Sequence, residues 1–303
     1  MLEAVLVGAV RGGTSILYAA LGETISERAG VINLGVEGCM LVGALGAYAT
    51  AVSTGSLALG LVVAVTGGMA LAAVHAFVVL ERHANQLAAG LGVWLLGLGL
   101  TSLLGQSYVG RGVDGFANVP VPGLHRLPFV GPVLFDHDLL TYASFLAAPV
   151  VWWLLFRTRT GLALRAAGER DEVLHAYGRS PKRLRYLAVL SCGGLAGLGG
   201  AQLATALAQN WSENMTVGRG FVAVGLVIFA AWDPRRAVAG AYLFSGAVAL
   251  NLQLQARGAG ISPFLLTALP YLLVIGVLAL FARRRVHAVP EGLRKVFESG
   301  AVS

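Results

Sequence analysis

Runs of apolar residues, parted by short polar breaks, dominate the pattern of this chain. They fall at about 5–25, 31–52, 57–80, 86–105, 138–156, 183–207, 220–232, 236–256 and 264–282. The stretches from Ser56 to Leu80 and from Gln86 to Val109 hold no Asp, Glu, Lys or Arg. As helices rising about 1.5 Å per residue, each crosses a hydrocarbon core of roughly 30 Å. A transmembrane barrel needs short alternating strands instead, and none are visible. The pattern predicts an all-α, polytopic integral membrane protein of about nine transmembrane helices, built as a single domain over 1–303. One span, "FVAVGLVIFAAW" at 220–232, is short enough to be a partial or broken crossing.

Local signals mark where several helices begin. Ser180-Pro181, Asp233-Pro234 and Ser262-Pro263 each set a capping side chain before a proline at the first helical position, just ahead of an apolar run. The segment at about 106–137 is rich in Gly and Pro and holds no apolar run, which predicts an ordered external loop or short helices. "GGLAGLGGA", 193–201, sits inside an apolar run with no strand before it. That context argues against a dinucleotide loop, and Gly193, Gly197 and Ala201 predict a strip for close helix packing.

Charge orients the spans. The segment at about 157–182 and the tail with "RRRVHAVPEGLRK" are both strongly basic, which places them on the cytoplasmic side. Seventeen of the 22 Lys and Arg residues then lie inside and four outside, with Arg11 within the first span. The expectation is an external N-terminus and a cytoplasmic C-terminus, with 220–232 as a real, short crossing. The net charge of +7 thus belongs to a membrane rim facing lipid, and no nucleic-acid partner is expected.

Composition agrees with that picture: 56% of residues are hydrophobic, only 12% are charged, and 41 are glycine. The opening residues lack a basic region and a small-residue cleavage site, so no removable signal peptide is expected. Cys39 and Cys192 fall in separate apolar runs, without metal-ligand spacing. There is no Ser/His/Asp grouping, no H-E-x-x-H and no Walker A loop. The chain is expected not to be an enzyme and to hold no metal or cofactor itself.

Polar side chains within membrane runs are costly and mark function. The candidates for a substrate pathway are Asn33, Glu37, Asn85, Gln86, Asn251 and Gln255, with Trp94 and Phe221 as flat surfaces for stacking. Asn251 and Gln255 lie one turn apart and share a face. His75, alone on an apolar helix, reads as structural. Glu37 has two readings. It is either an anchor, stabilised by its helix dipole and paired with Arg28 or the basic rim, or part of the pathway lining.

"GERDEVLHAYG" predicts a short helix with Glu169, Asp171 and Glu172 in its first turn and Gly178 as its C-cap. Val173, Leu174 and Tyr177 form a small apolar face, which suits either the lipid surface or a docking partner.

Taken together, "LGETISERAGVINLGVEGCMLVGALGAY", "NQLAAGLGVWLLGLGLTSLLG", "GLALRAAGERDEVLHAYGRSPKRLRYLAVLSCGGLAGLGGA", "TVGRGFVAVGLVIFAAWDP" and "LPYLLVIGVLAL" resemble, in order, the permease subunits of ABC importers of the branched-chain amino acid/ribose/nucleoside superfamily. The likeness is closest to the shorter of the two paired permeases of the nucleoside type. The resemblance implies a permease subunit of an ATP-driven, binding-protein-dependent importer in the bacterial cytoplasmic (inner) membrane. Its solute would be a purine-type nucleoside, with a simple sugar or branched-chain amino acid as the alternative; an ion-coupled secondary transporter has less support. It implies a second homologous permease in a heterodimer and an ATP-binding subunit with two fused cassettes, where ATP and Mg would bind. An external substrate-binding lipoprotein would deliver the solute. The family's coupling helix falls on "GERDEVLHAYG", which makes Glu169, Asp171, Glu172, Val173, Leu174, Tyr177 and Gly178 the candidate ATPase contacts. Arg11 departs from an apolar first span and leaves open whether residues 1–12 span or lie along the interface.

Overall fold

A computed structural model describes residues 1–258, 265, 268, 270–272, 276 and 289–294. Within them, seven helices are long and apolar enough to cross a membrane. The first four are α1 (Leu2–Arg28), α2 (Val36–Thr54), α3 (Leu57–Leu80) and α4 (Gln86–Gly105). A connecting segment follows with two-residue strands β1 (Val119–Pro120) and β2 (Asp136–His137), paired antiparallel, and the short helix α5 (Val130–Leu134) between them. The chain continues through α6 (Leu139–Arg157), α7 (Arg159–Glu169), α8 (Asp171–Ala176) and α9 (Pro181–Gln202), the last extended by a π-helical turn at Leu203–Leu207. Two more helices are α10 (Arg219–Phe229) and α11 (Pro234–Ala256).

The all-α membrane architecture is as the apolar pattern predicts, and among the described residues seven of the nine expected spans are long helices. The run at 220–232 forms the 11-residue α10, entered by a non-helical segment. The run at 264–282 and the Ser262-Pro263 start lie mostly outside the described residues. Arg11 does not interrupt the first helix. α1 is continuous from Leu2, and the Arg11 guanidinium reaches Asn118 in the segment between α4 and α6.

The helix starts form as the local chemistry dictates. Ser180 Oγ accepts from the Arg183 amide and Asp233 from the Arg235 amide at 3.0 Å, each just before a first-turn proline. The buried centre is made by α1 and α9, with α2 and α3 packed on one side and α11 on the other. α11 runs antiparallel to α1, bringing Ala249 against Gly8 and Tyr242 against Gly13. α2 and α4 run parallel, with Leu34 beside Gly90 and Gly38 beside Gly97. Large exposed apolar side chains such as Val62, Phe77, Leu95, Leu103, Leu146 and Trp153 project from α3, α4 and α6, as lipid-facing surfaces require.

Glycines set how closely the central helices approach. A Cβ at Gly200 would run into the Met40 carbonyl, one at Gly197 into that of Ala64, and one at Gly193 into that of Gly68. The strip predicted from "GGLAGLGGA" is therefore a backbone-to-backbone seam joining α9 to α2 and α3. Without a hydrophobic drive between helices in lipid, such close packing is a main source of association.

Candidate functional site

Two interruptions of helical backbone meet in the interior. The first, residues 29–35, joins α1 to α2. Several of its freed polar groups are satisfied by side chains. The Asn33 amide donates to Glu23 Oε1 at 2.7 Å and the Ile32 amide to Gln86 Oε1 at 2.8 Å. His75 Nε2 donates to the Ile32 carbonyl at 3.0 Å, Ser26 Oγ to that of Val31 at 2.7 Å, and Gln86 Nε2 to that of Gly30 at 3.4 Å. Asn33 Oδ1 accepts from the Gly35 amide at 3.0 Å. Unpaired buried backbone groups are costly, so this density of partners lets a non-helical segment exist in the interior.

The second interruption, residues 208–218, runs from the C-terminal end of α9 and its π-helical turn to the start of α10. Gln209, Asn214, Val217 and Gly218 all have positive φ, and Trp211 is buried against Tyr48, Ala44 and Ala204. At its foot lies Glu37. The carboxylate accepts from Thr216 Oγ1 at 2.5 Å, the Gly218 amide at 2.8 Å and the Gly220 amide at 2.5 Å. These amides belong to the first turn of α10 and have no partner within that helix. Glu37 thus caps a half-helix in trans, with the positive end of the helix dipole favouring its charge. Gly220 makes the approach possible, since a Cβ there would sit 2.6 Å from the Glu37 Cα.

The other end of α10 is fastened by α1. Trp232 Nε1 donates to Glu27 Oε2 at 2.5 Å, and Arg28 donates to the carbonyls of Trp232 and Ala231 at 3.2 and 3.4 Å. Arg28 also lies over the Phe156 ring, 5.5 Å from its centroid. Arg28 therefore binds backbone carbonyls at the end of α10 while Glu37 binds amides at its start. The anticipated Arg28–Glu37 pairing is absent because each finds a stronger local dipole end. Together Glu23, Glu27, Arg28, Asn33 and Glu37 are the fasteners of interrupted backbone.

Of the other pathway candidates, Trp94 and Phe221 come together edge to face at 5.1 Å, directly beside Gly38. Asn85 caps α4, accepting from the Leu87 and Ala88 amides. Asn251 and Gln255 bond to each other at 2.5 Å. Asn251 lines a cavity of about 280 Å³ between α1, α10 and α11, and Gln255 is exposed. Arg219 lines the same cavity. Arg219 is not among the sequence candidates, although an arginine directly before an apolar run is a local signal for it.

The segment 157–182 folds as two helices instead of one. α7 ends at Glu169, and α8 begins at Asp171, so Glu169 is outside the first turn of the short helix. Gly178 follows with φ of +67°. Leu174 is buried in the chain's own core, while Glu172, Val173 and Tyr177 are exposed, so the outward apolar face is narrower than the spacing predicts. Arg185 on α9 ties the region together. It donates to Asp171 at 2.7 and 3.1 Å, to the Ala167 carbonyl at 2.7 Å and to the Ala29 carbonyl at 3.2 Å. Nearby, Lys182 binds Glu81 at 2.5 Å and holds that carboxyl below its usual range.

This arrangement of short and broken helices can be set beside known proteins. The family model described as branched-chain amino acid transport system / permease component matches residues 5–282. The chain belongs to this family. It is 46% identical over 258 residues to a protein of Haloferax volcanii named "Putative glucose ABC transporter permease protein", covering 84% of this chain and 78% of that one. It is 29% identical to a guanosine ABC transporter permease of Bacillus subtilis, over 78% of each chain, and 29% identical to a nucleoside ABC transporter permease of Lactococcus lactis, over 97% of each. No solved structure matches it. As a multi-pass member of an ABC permease family, the chain is a permease subunit of an ABC transporter.

Proposed function

We propose that this chain forms one half of the membrane pathway of an ATP-driven importer, beside a second, homologous permease. An external substrate-binding lipoprotein delivers the solute, and cytoplasmic ATP-binding subunits, as two fused cassettes holding ATP and Mg, drive the cycle. The chain sits in the cytoplasmic membrane with its N-terminus external. The observation that carries this reading is α10, a half-helix inside the bundle, preceded by irregular backbone and capped by Glu37. Transport proteins build their pathways from discontinuous helices of this sort.

Coupling follows from Arg185. The exposed face of Glu172, Val173 and Tyr177, with the Gly178 turn, docks in a cleft of the ATPase. A shift of α8 reaches α9 and Ala29 through the Asp171–Arg185 pair, and so reaches the interruption that leads to Glu37. Val173→Asp and Tyr177→Asp should each cut ATPase copurification and transport about tenfold or more, by burying an unpaired charge in the contact, while the protein still inserts. Leu174→Asp should instead lower the yield of folded chain. Normal copurification and transport in the first two variants would remove α8 from the coupling role.

Orientation is tested by thiol labelling, since Cys39 and Cys192 are buried. A cysteine at Ser212 should react with an impermeant reagent from outside, and one at Ser180 only after the membrane is opened. Reversed labelling would invert the topology.

The solute in this reading is a purine-type nucleoside, supported by similarity to nucleoside and guanosine permeases along most of the chain. The second reading is a simple sugar, supported by the higher identity to the Haloferax volcanii relative. Uptake of labelled guanosine and glucose by cells with and without this chain separates them. Uptake that survives ATP depletion but collapses with the ion gradient would overturn the importer reading itself.

A further inference from the structure

The cavity between α1, α10 and α11 has walls of mixed character: Ile16, Phe244 and Tyr271 are apolar or aromatic, and Arg219, Ser245 and Asn251 are polar. Ser245 is the middle residue of the 23-residue α11, so the cavity lies near half-depth of a helix long enough to cross the membrane. Arg219 enters it from the start of α10. Its Nη1 is taken, donating to the Gly12 carbonyl at 3.1 Å and to Ser15 Oγ at 3.0 Å. Among the described residues, no ion pair involves Arg219, and Nε and Nη2 have no hydrogen-bond partner.

Those two nitrogens form one lateral edge of the planar guanidinium, two parallel donors set to meet two adjacent acceptors. The charge is already offset nearby. Glu37 holds the amides of Gly218 and Gly220, the residues on either side of Arg219, so the wall carries no surplus charge that calls for an anion. Asn251 has its Oδ1 taken by Gln255, which leaves its amide nitrogen as a donor. Phe244 and Tyr271 stand edge to face at 5.7 Å and present ring surfaces to whatever enters.

Resting on the importer reading above, we propose that this cavity is the solute site within the membrane, where Nε and Nη2 of Arg219 grip two adjacent acceptor atoms of a neutral ring compound. Two solutes carry that chemistry. Guanine presents O6 and N7 side by side, the pair that arginine reads as a fork. A sugar ring presents neighbouring hydroxyls. Arg219 thereby becomes a specificity-determining residue, with Asn251 as a second donor.

The test is binding of labelled guanosine, adenosine and glucose to the purified complex of permeases and ATPase, without the external binding protein. That protein would otherwise mask affinity in the membrane part. Arg219→Lys keeps the charge and loses the fork, so affinity should fall about tenfold or more, with normal amounts of ATPase copurifying. Asn251→Ala should weaken binding in the same direction. It is read alone if Arg219→Lys fails to assemble, since among the described residues Asn251 bonds only Gln255. A loss for guanosine that spares adenosine assigns the fork to the base edge; an equal loss for every solute bound assigns it to sugar hydroxyls. Assembled variants that bind like wild type would overturn the site, as would a wild-type complex that binds none of the three. Tight, variant-sensitive binding without ATP-dependent uptake would instead leave the site standing and sink the importer reading.

Discussion

Glu37→Ala should destabilise the assembled protein by about 3 kcal/mol or more and abolish transport. Three buried donors converge on this one carboxylate: Thr216 Oγ1 and the amides of Gly218 and Gly220. Each buried donor left without an acceptor costs ~1–3 kcal/mol, and more when the lost partner is charged. Helix α10 cannot compensate from within, because its first amides have no intrahelical partner. Glu37→Gln keeps one acceptor oxygen but turns an NH₂ group toward donors, so it should cost less, on the order of 1–2 kcal/mol. Melting followed by size-exclusion chromatography in detergent gives the order expected: wild type, then Gln, then Ala. An alanine variant that melts with the wild type would mean that the carboxylate does not hold α10.

Gly200→Val should have an effect at least as large and of different origin. The new side chain meets the Met40 carbonyl and lies 2.8 Å from the Ala44 amide, both parts of helical backbone that cannot rotate aside. Overpacking of a tight core costs about 1–3 kcal/mol where side chains can adjust, and here whole helices must separate. Loss of the folded chain from the membrane fraction is the expected result. The control is Gly99→Leu on α4, where nothing lies within 4 Å of the added atom. That variant should insert and assemble normally. Equal tolerance at both positions would show that α9 is not seated against α2 as described.

Much of this architecture could be read along the chain, for a physical reason. Hydropathy over some twenty residues, N-capping by Ser180 and Asp233, and the spacing of Gly193 and Gly197 are local properties that act within one helix or on one face. They determined the membrane class, most helix positions, the packing seam and the unusual shortness of the run at 220–232. What the chain order could not reveal is which distant groups each polar residue would meet. Glu37 was legible as a costly carboxylate near a helix start, but its partners at Thr216, Gly218 and Gly220 lie about 180 residues away. Nothing local distinguishes an ionic anchor from a cap in trans. Arg28 likewise had to be placed against the far end of α10 before its role was visible. Leu174 shares helical spacing with Val173 and Tyr177, and only the packing of α8 turned it inward and left the other two outside. Arg219 carried no sequence signal of a partner, and only the fold put it on a cavity wall. In a bilayer a broken helix must be satisfied by other parts of the chain, so the tertiary structure alone decides which side chain closes which gap.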